Sequence, residues 1–213
     1  MNKNENKELC KACGGLCCKK GGCQYSVDDF ESLKFEYLYN KLQEGYISIV
    51  CALNFQVIKG KPVVNPILYV KARNVNRPII DLLSMRTKCS ALTEEGCLYD
   101  YEHRPSGGVN LVPKKNGQCY HEKSPMEYIT MWKPYQTILR KLVKKISGKS
   151  VENQLKDNAY QLFKDIFNQN FEGVDKMEIK DVLNSLSDLA ALYPTEFNRA
   201  YQENQERLAK ISR

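Results

Sequence analysis

The residues of this chain that are best suited to chemistry are its cysteines, and they are clustered. Five of the nine cysteines in 213 residues lie within "LCKACGGLCCKKGGC", residues 9–23. Cys10 and Cys13 have the C-x2-C spacing that lets two sulfurs reach one tetrahedral metal ion, at about 2.3 Å for zinc. Gly14–Gly15 follows Cys13, and Gly21–Gly22 precedes Cys23. Glycines beside cysteines suit a loop that turns sharply around an ion better than they suit a helix or a strand. The spacing therefore predicts a thiolate metal centre.

The predicted ligand set draws on two distant parts of the chain. Soft sulfur ligands exclude calcium and magnesium but fit both zinc and iron. Eight thiolates would saturate two tetrahedral sites of four sulfurs each, whereas one iron–sulfur cluster would use four. Because neighbouring side chains tend to diverge, the adjacent pair Cys17–Cys18 favours two neighbouring metals or a cluster over a single ion. The candidate metal ligands are Cys10, Cys13, Cys17, Cys18, Cys23, Cys89, Cys97 and Cys119.

Several individual residues allow an interpretation other than the one that the metal centre suggests. Cys51 lies on the apolar face of a predicted strand and is interpreted as a core residue. A redox dithiol at Cys10 and Cys13 would need a strand before the motif, and the sequence offers none there. His121, two residues after Cys119, could replace one thiol, but a surface role is the simpler interpretation.

Composition and charge set the broad class. Residues 1–9 are polar, and no apolar run approaches the length of a membrane span. We therefore expect a cytoplasmic protein with no transmembrane segment, in a compartment that keeps thiols reduced. The net charge of +7 and the pI near 8.8 permit a polyanionic partner without requiring one.

The pattern of the first part predicts a helix followed by a β-hairpin. Ser26 is the expected N-cap of a helix whose apolar positions extend to Leu42 and which ends at Gly45. Residues 46–73 alternate as a hairpin with a turn at 59–61. Pro66 indicates an edge strand. On this basis we expect residues 1–125 to form a cysteine-cluster metal-binding domain. The inward positions of its first strand are Ile47, Ile49, Cys51, Leu53, Phe55 and Val57.

The pattern of the second part predicts helices only. A capping box at Ser124 starts the first helix, Pro134 should kink or restart it, and Gly148 should end it. A second helix is expected from Ser150, a third over 176–192 and a fourth from Thr195 onward. The predicted fold is therefore α+β: a cysteine-rich, metal-bound N-terminal region with a β-hairpin, followed by a helical segment over 126–213.

One helical face in the second part is basic. Arg140, Lys141, Lys144 and Lys145 lie opposite an apolar face. Such a face could bind phosphates, which defines one alternative function, a zinc-supported nucleic-acid or protein adaptor. The stripe is short, however, and is more typical of the solvated side of an amphipathic helix, so nucleic acid is not the expected partner. A protein partner remains open.

Two longer motifs carry a family resemblance. "CGGLCC" is followed by the acidic "SVDDFESL", and "CSALTEEGCLYDYEHRPSGG" comes later. Together they resemble the YkgJ-like cysteine-cluster family of zinc- or iron-chelating domains, which includes flagellin lysine N-methylases. The resemblance covers about residues 10–120. The residues that match the second half of the family pattern in order are Cys89, Leu92, Gly96, Cys97, Tyr99, Arg104 and Pro105.

The resemblance implies a cysteine-bound metal centre, and the leading hypothesis is a metal-binding protein whose metal is structural or electron-carrying. At Gly108 the family pattern has a cysteine, and Cys119 is the candidate to replace it. The second alternative function is a metal-dependent or methyltransferase-like protein-modifying enzyme, although no glycine-rich dinucleotide turn is present. The polar residues Asp100, Glu102 and His103 are expected to form a loop rather than a catalytic group. Arg104 is a candidate hydrogen-bond donor to thiolates, or equally a structural partner of a carboxylate.

Overall fold

In a computed structural model of the chain, the residues described are 8, 12–59, 61–94, 96–99, 104–112, 119–121, 123–174 and 176–211. The architecture mixes helix and strand, as predicted. A long β-hairpin and several short loops form the first part, and helices form the second.

The hairpin is the scaffold of the first part. Strands β1 (Ile47–Ile58) and β2 (Lys61–Ala72) pair antiparallel over their full length, which confirms the predicted hairpin. Ile47 and Ile49 are buried, as the alternation predicted. Val50 is buried as well, because the base of the hairpin is covered on both faces.

The base of the hairpin is wider than its tip. Beside β2, Gln24 forms an antiparallel bridge with Lys71, and the Ala72 N–H donates to the Cys23 carbonyl at 2.9 Å. Beside β1, Ile80 forms a parallel bridge with Ile49. In the described residues, isolated bridges thus add one segment on each side of the two-stranded sheet at its base, and one of these segments follows the predicted metal ligand Cys23.

Two shorter hairpins and, besides a longer helix given below, two short helices surround the scaffold in the described residues. Strands β3 (Leu92–Thr93) and β4 (Gly96–Cys97) pair with each other, as do β5 (Leu111–Val112) and β6 (Tyr120–His121). The short helices are α1 (Leu16–Lys19) and α3 (Ser106–Val109).

The predicted helix from Ser26 to Gly45 is wrong in its first half. The capping box at Ser26 starts only a 3-10 turn, Val27–Asp29, and the chain is extended at Phe30. Helix α2 (Phe35–Gln43) begins later and ends before Gly45 as predicted. The interruption has a physical cause, because the Phe30 ring packs between Tyr25 and Trp132, with centroid distances of 5.4 and 5.7 Å.

Most of the predicted helical segment is confirmed. Helix α4 spans Pro125–Met131, a 3-10 turn at Lys133–Tyr135 contains Pro134, and α5 spans Gln136–Ser147. Helix α6 is Val151–Phe167 and α9 is Pro194–Ile211. The predicted helix over 176–192 is instead two, α7 (Lys176–Asn184) and α8 (Leu186–Leu192), separated at Ser185, whose hydroxyl donates to the Asp181 carbonyl.

One core joins residues from both halves of the sequence. It contains Leu68 and Val70 of β2, Leu139 and Leu142 of α5, and Cys89. The Gln136 side chain continues the sheet at the edge of β2, since it accepts from the Leu68 N–H at 2.9 Å and donates to the Leu68 carbonyl at 2.8 Å. The division at residue 125 stays a prediction.

Candidate metal centre

Helix α1 places two thiols side by side. It begins after Gly15, whose φ of 75° is readily adopted only by a residue without a side chain. The Sγ atoms of Cys17 and Cys18 are 3.9 Å apart. In a tetrahedral zinc site with bonds of about 2.3 Å, neighbouring sulfurs are about 3.8 Å apart. The adjacent pair can therefore serve a single ion, and its spacing alone does not require two metals.

A tight loop brings a third thiol to this pair. The Gly22 N–H donates to the Cys17 carbonyl at 3.1 Å, and Gly21 and Gly22 both have positive φ, 103° and 71°. The loop returns Cys23 to Cys17, and the two thiols are close enough for each to perturb the pKa of the other. The second glycine pair of the motif thus shapes the site rather than merely separating its cysteines.

Cys89 reaches the same place from a distant part of the chain. Its N–H donates to the Cys18 carbonyl at 2.7 Å. A Cβ atom built on Gly22 would lie 3.3 Å from the Cys89 Sγ and 2.7 Å from the Ala72 Cβ. Only glycine fits between these two side chains, and Cys89 itself is 4% exposed. Residues far apart in the sequence therefore meet at the N-terminal thiols.

Cys97 approaches the cluster on the β3–β4 hairpin. It lies opposite Leu92, after Gly96, which has a φ of 120°. The Leu92 side chain packs on the N-terminal loop, where a Cβ atom built on Gly15 would lie 3.4 Å from it. Cys97 lies close enough to Cys18 and Cys89 to add like-charge repulsion to both. We call Cys17, Cys18, Cys23, Cys89 and Cys97 the thiol cluster.

The thiols of the cluster perturb one another. Hydrogen bonds from Cys18 and Cys23 lower the pKa of the Cys17 thiol to about 3. The same contacts, with burial, raise the pKa of Cys18 and of Cys23 well above the ordinary value. Burial raises the pKa of Cys89, and Cys97 adds repulsion. One thiolate is therefore favoured, whereas further ionisation calls for a nearby positive charge.

The two glycines of helix α3 bring its backbone close to Cys23 and Gln24. The Gly107 N–H donates to the Gln24 carbonyl at 3.1 Å. A Cβ atom built on Gly108 would lie 3.3 Å from the Cys23 Sγ. Position 108 thus faces Cys23 of the thiol cluster.

A carboxylate that the sequence analysis did not identify holds α3 in place. The Asp29 Oδ2 accepts hydrogen bonds from the Ser26 N–H at 2.8 Å and from both the N–H and the hydroxyl of Ser106 at 3.0 Å. Asp29 also completes the capping box at Ser26, which is a contact within three residues. Its second partner, 77 residues away, left no signal in the sequence.

Trp132, at the end of helix α4, holds the segment that carries Cys23. The fully buried Trp132 donates its indole N–H to the Tyr25 carbonyl at 2.8 Å. Tyr25 in turn donates its backbone N–H to the Val70 carbonyl at 3.0 Å. The segment that carries Cys23 is therefore fixed on both sides.

We do not count the remaining candidate residues as members of the thiol cluster. Cys10 lies outside the described residues, as do Asp100, Glu102 and His103. Cys13 and Cys119 are half-buried, and the backbone of His121 pairs with Leu111 in β5. Ligation by any of these residues stays a prediction.

Two further predicted residues can be placed more firmly. Cys51 packs at the margin of the main core, as predicted, and burial raises its pKa to about 12. The Arg104 Nε donates to the Tyr99 carbonyl at 3.2 Å, which ties Arg104 to the segment after Cys97.

The basic face of α5 has the expected amphipathic form. Leu139, Leu142 and Val143 are buried, whereas Lys141, Lys144 and Lys145 are at least partly exposed. Arg140 pairs with Glu152 at 2.7 Å. These contacts agree with the solvated side of a helix.

The described residues contain no group of three or more His, Cys, Asp and Glu side chains already arranged to hold a metal ion. Ligation by the thiol cluster would thus require its side chains to rotate toward a common centre. None of the described helices combines the length and apolar character that crossing a membrane needs.

Comparisons of the chain with family models, with curated proteins and with solved structures find no match.

Proposed function

We propose that this chain is a metal-binding protein of the cysteine-cluster type, in which the thiol cluster holds zinc or iron as thiolates. The observation that carries the proposal is the contact between Cys18 and Cys89, because it joins two cysteine-rich segments that are far apart in the sequence. Cys10, Cys13 and Cys119 are the proposed additional donors.

The donor set suits a soft cation. Thiolates bind zinc and iron and not magnesium or calcium. When bound, the metal would supply the positive charge that lets several close thiols ionise together. The chain's own residues hold the sulfurs: the glycine loop at 21–22 positions Cys23, and the Cys18 carbonyl positions Cys89. The metal is proposed to be structural or electron-carrying.

The test is metal analysis and visible absorption of protein purified without oxygen. Zinc would give a colourless protein, and iron–sulfur ligation would give broad absorption at about 400 nm. Cys89→Ser should lower both metal content and stability. Cys51→Ala is the matched control, since it removes a thiol outside the cluster and should leave metal content unchanged. Equal metal content in wild type and C89S would contradict the proposal.

The described residues offer no observation that favours the enzyme or the adaptor alternative. A cavity of about 170 Å³ is lined by residues of α6 and α9, including Lys164 and Glu203, and no cysteine lines it. A groove of about 440 Å³ lies along α4 beside Met126 and Met131.

A further inference from the structure

We infer that Cys17 and Cys23 form a reversible disulfide when a peroxide oxidises the thiol cluster, and that this disulfide releases the bound metal. The release of metal rests on the proposed function, whereas formation of the disulfide does not.

The loop between the two residues is already closed. The Gly22 N–H donates to the Cys17 carbonyl at 3.1 Å, and two glycines with positive φ make the turn. That backbone bond brings residue 23 back beside Cys17, and the two thiols are close enough to perturb each other's pKa. Joining the sulfurs therefore requires side-chain rotation rather than refolding.

Cys18 is a poorer partner for Cys17 than Cys23 is, although their sulfurs are only 3.9 Å apart. The Cα atoms of adjacent residues are about 3.8 Å apart across a trans peptide, whereas disulfides usually join Cα atoms about 4.4–6.8 Å apart. A bond between Cys17 and Cys18 would strain the peptide between them.

Cys17 is the thiol of the cluster that an oxidant meets first. It is exposed, whereas Cys18 and Cys23 are half-buried and Cys89 is buried. Access to solvent is one of the factors that decide which cysteine is oxidised.

The chemistry uses hydrogen peroxide as the two-electron oxidant. The Cys17 thiolate attacks one peroxide oxygen, the O–O bond breaks, and Cys17 sulfenic acid and hydroxide are formed. The Cys23 thiol then attacks the Cys17 sulfur, which forms the S–S bond and releases water. Two sulfurs have each lost one electron, and the peroxide has been reduced to the level of water. A dithiol reductant reverses the step.

The disulfide removes two donors from the thiol cluster. Only Cys18, Cys89 and Cys97 of the cluster would then remain as thiols. Because metal binding requires thiolates, we expect the affinity for zinc to fall and bound zinc to be released.

The sequence allows the disulfide to be mapped directly. Trypsin cleaves after Lys11, Lys19, Lys20 and Lys34, which places Cys17 and Cys18 in peptide 12–19 and Cys23 in peptide 21–34. A Cys17–Cys23 disulfide joins two peptides, whereas a Cys17–Cys18 disulfide stays within one. The reduced, zinc-loaded protein is treated with one equivalent of peroxide, alkylated, digested and analysed by mass spectrometry, while a chromogenic chelator reports free zinc.

The expected result is cross-linking of peptides 12–19 and 21–34 together with zinc release, both reversed by dithiothreitol. The cross-link should persist in Cys13→Ser and in Cys18→Ser and should be lost in Cys17→Ser. A cross-link that survives in C17S, or oxidation confined to peptide 12–19, would overturn the inference. If zinc never binds but the cross-link forms, the disulfide is supported and metal release is refuted. If zinc binds but no cross-link forms, the inference fails and the proposed function stands.

Discussion

Replacing Gly107 with alanine should weaken the packing of α3 against Gln24, beside the thiol cluster, and destabilise the protein. A Cβ atom at this position would lie 2.5 Å from the Gln24 carbonyl oxygen and 3.1 Å from the Gln24 nitrogen. Both are backbone atoms, so the helix must move and its hydrogen bond to Gln24 must lengthen. Losing that bond costs about 1 kcal/mol, and forcing the contact costs about 1–3 kcal/mol. We expect Gly107→Ala to lower the free energy of unfolding by about 2–4 kcal/mol.

Gly108→Ala is the matched control on the same helical turn. The nearest atoms to its Cβ would be the Cys23 Sγ at 3.3 Å and the Cys23 Cβ at 3.5 Å. A side chain can yield by a few tenths of an ångström, so we expect a loss of less than about 1 kcal/mol. For a chain of this size, 1 kcal/mol corresponds to about 2–4 °C in Tm. Thermal unfolding followed by circular dichroism should separate the two variants, and equal Tm values would refute the packing of α3 on Gln24.

Three further changes test other parts of the structure. Trp132→Phe should lower the free energy of unfolding by about 2–4 kcal/mol in urea titrations, because it leaves the buried Tyr25 carbonyl unpaired and opens a cavity; a change below about 1 kcal/mol would contradict this. Burial raises the pKa of Asp81, and its Oδ2 has no hydrogen-bond partner in the described residues. The ionised form of Asp81 therefore destabilises the fold, and the free energy of unfolding falls as the pH rises above the ordinary pKa of 3.8. Asp81→Asn should stabilise the protein at pH 7 but not at pH 3. Equal stabilisation at both pH values would contradict this prediction. Gly108→Cys should lower the zinc concentration at half saturation, since the new thiol would face Cys23, and an unchanged titration would oppose this geometry.

The sequence predicted elements whose signals are local. The hairpin was evident from alternation between turn residues, and the helices after Ser124 and Ser150 from their caps, which the structure confirms. Each of these signals arises within a few residues, so no tertiary contact was needed to interpret it.

The error in the first predicted helix arose where a distant contact overrides a local pattern. Phe30 has helical spacing but leaves the helix to pack against Trp132, 102 residues away. Likewise, neither composition nor periodicity could predict the contact of Gly107 with Gln24. The glycine pairs suggested a loop around an ion, but only the structure shows which backbone and side-chain atoms they allow to approach.

The most direct test of the central claim is a zinc titration of reduced, metal-free protein, followed by thermal unfolding. A ligand that binds only the folded state at 100 times its Kd stabilises it by about 2.7 kcal/mol. At about 2–4 °C per kcal/mol, Tm should rise by about 5–10 °C. The rise should be retained in C51A and lost in C89S. A reduced, folded sample that binds neither zinc nor iron would contradict the account.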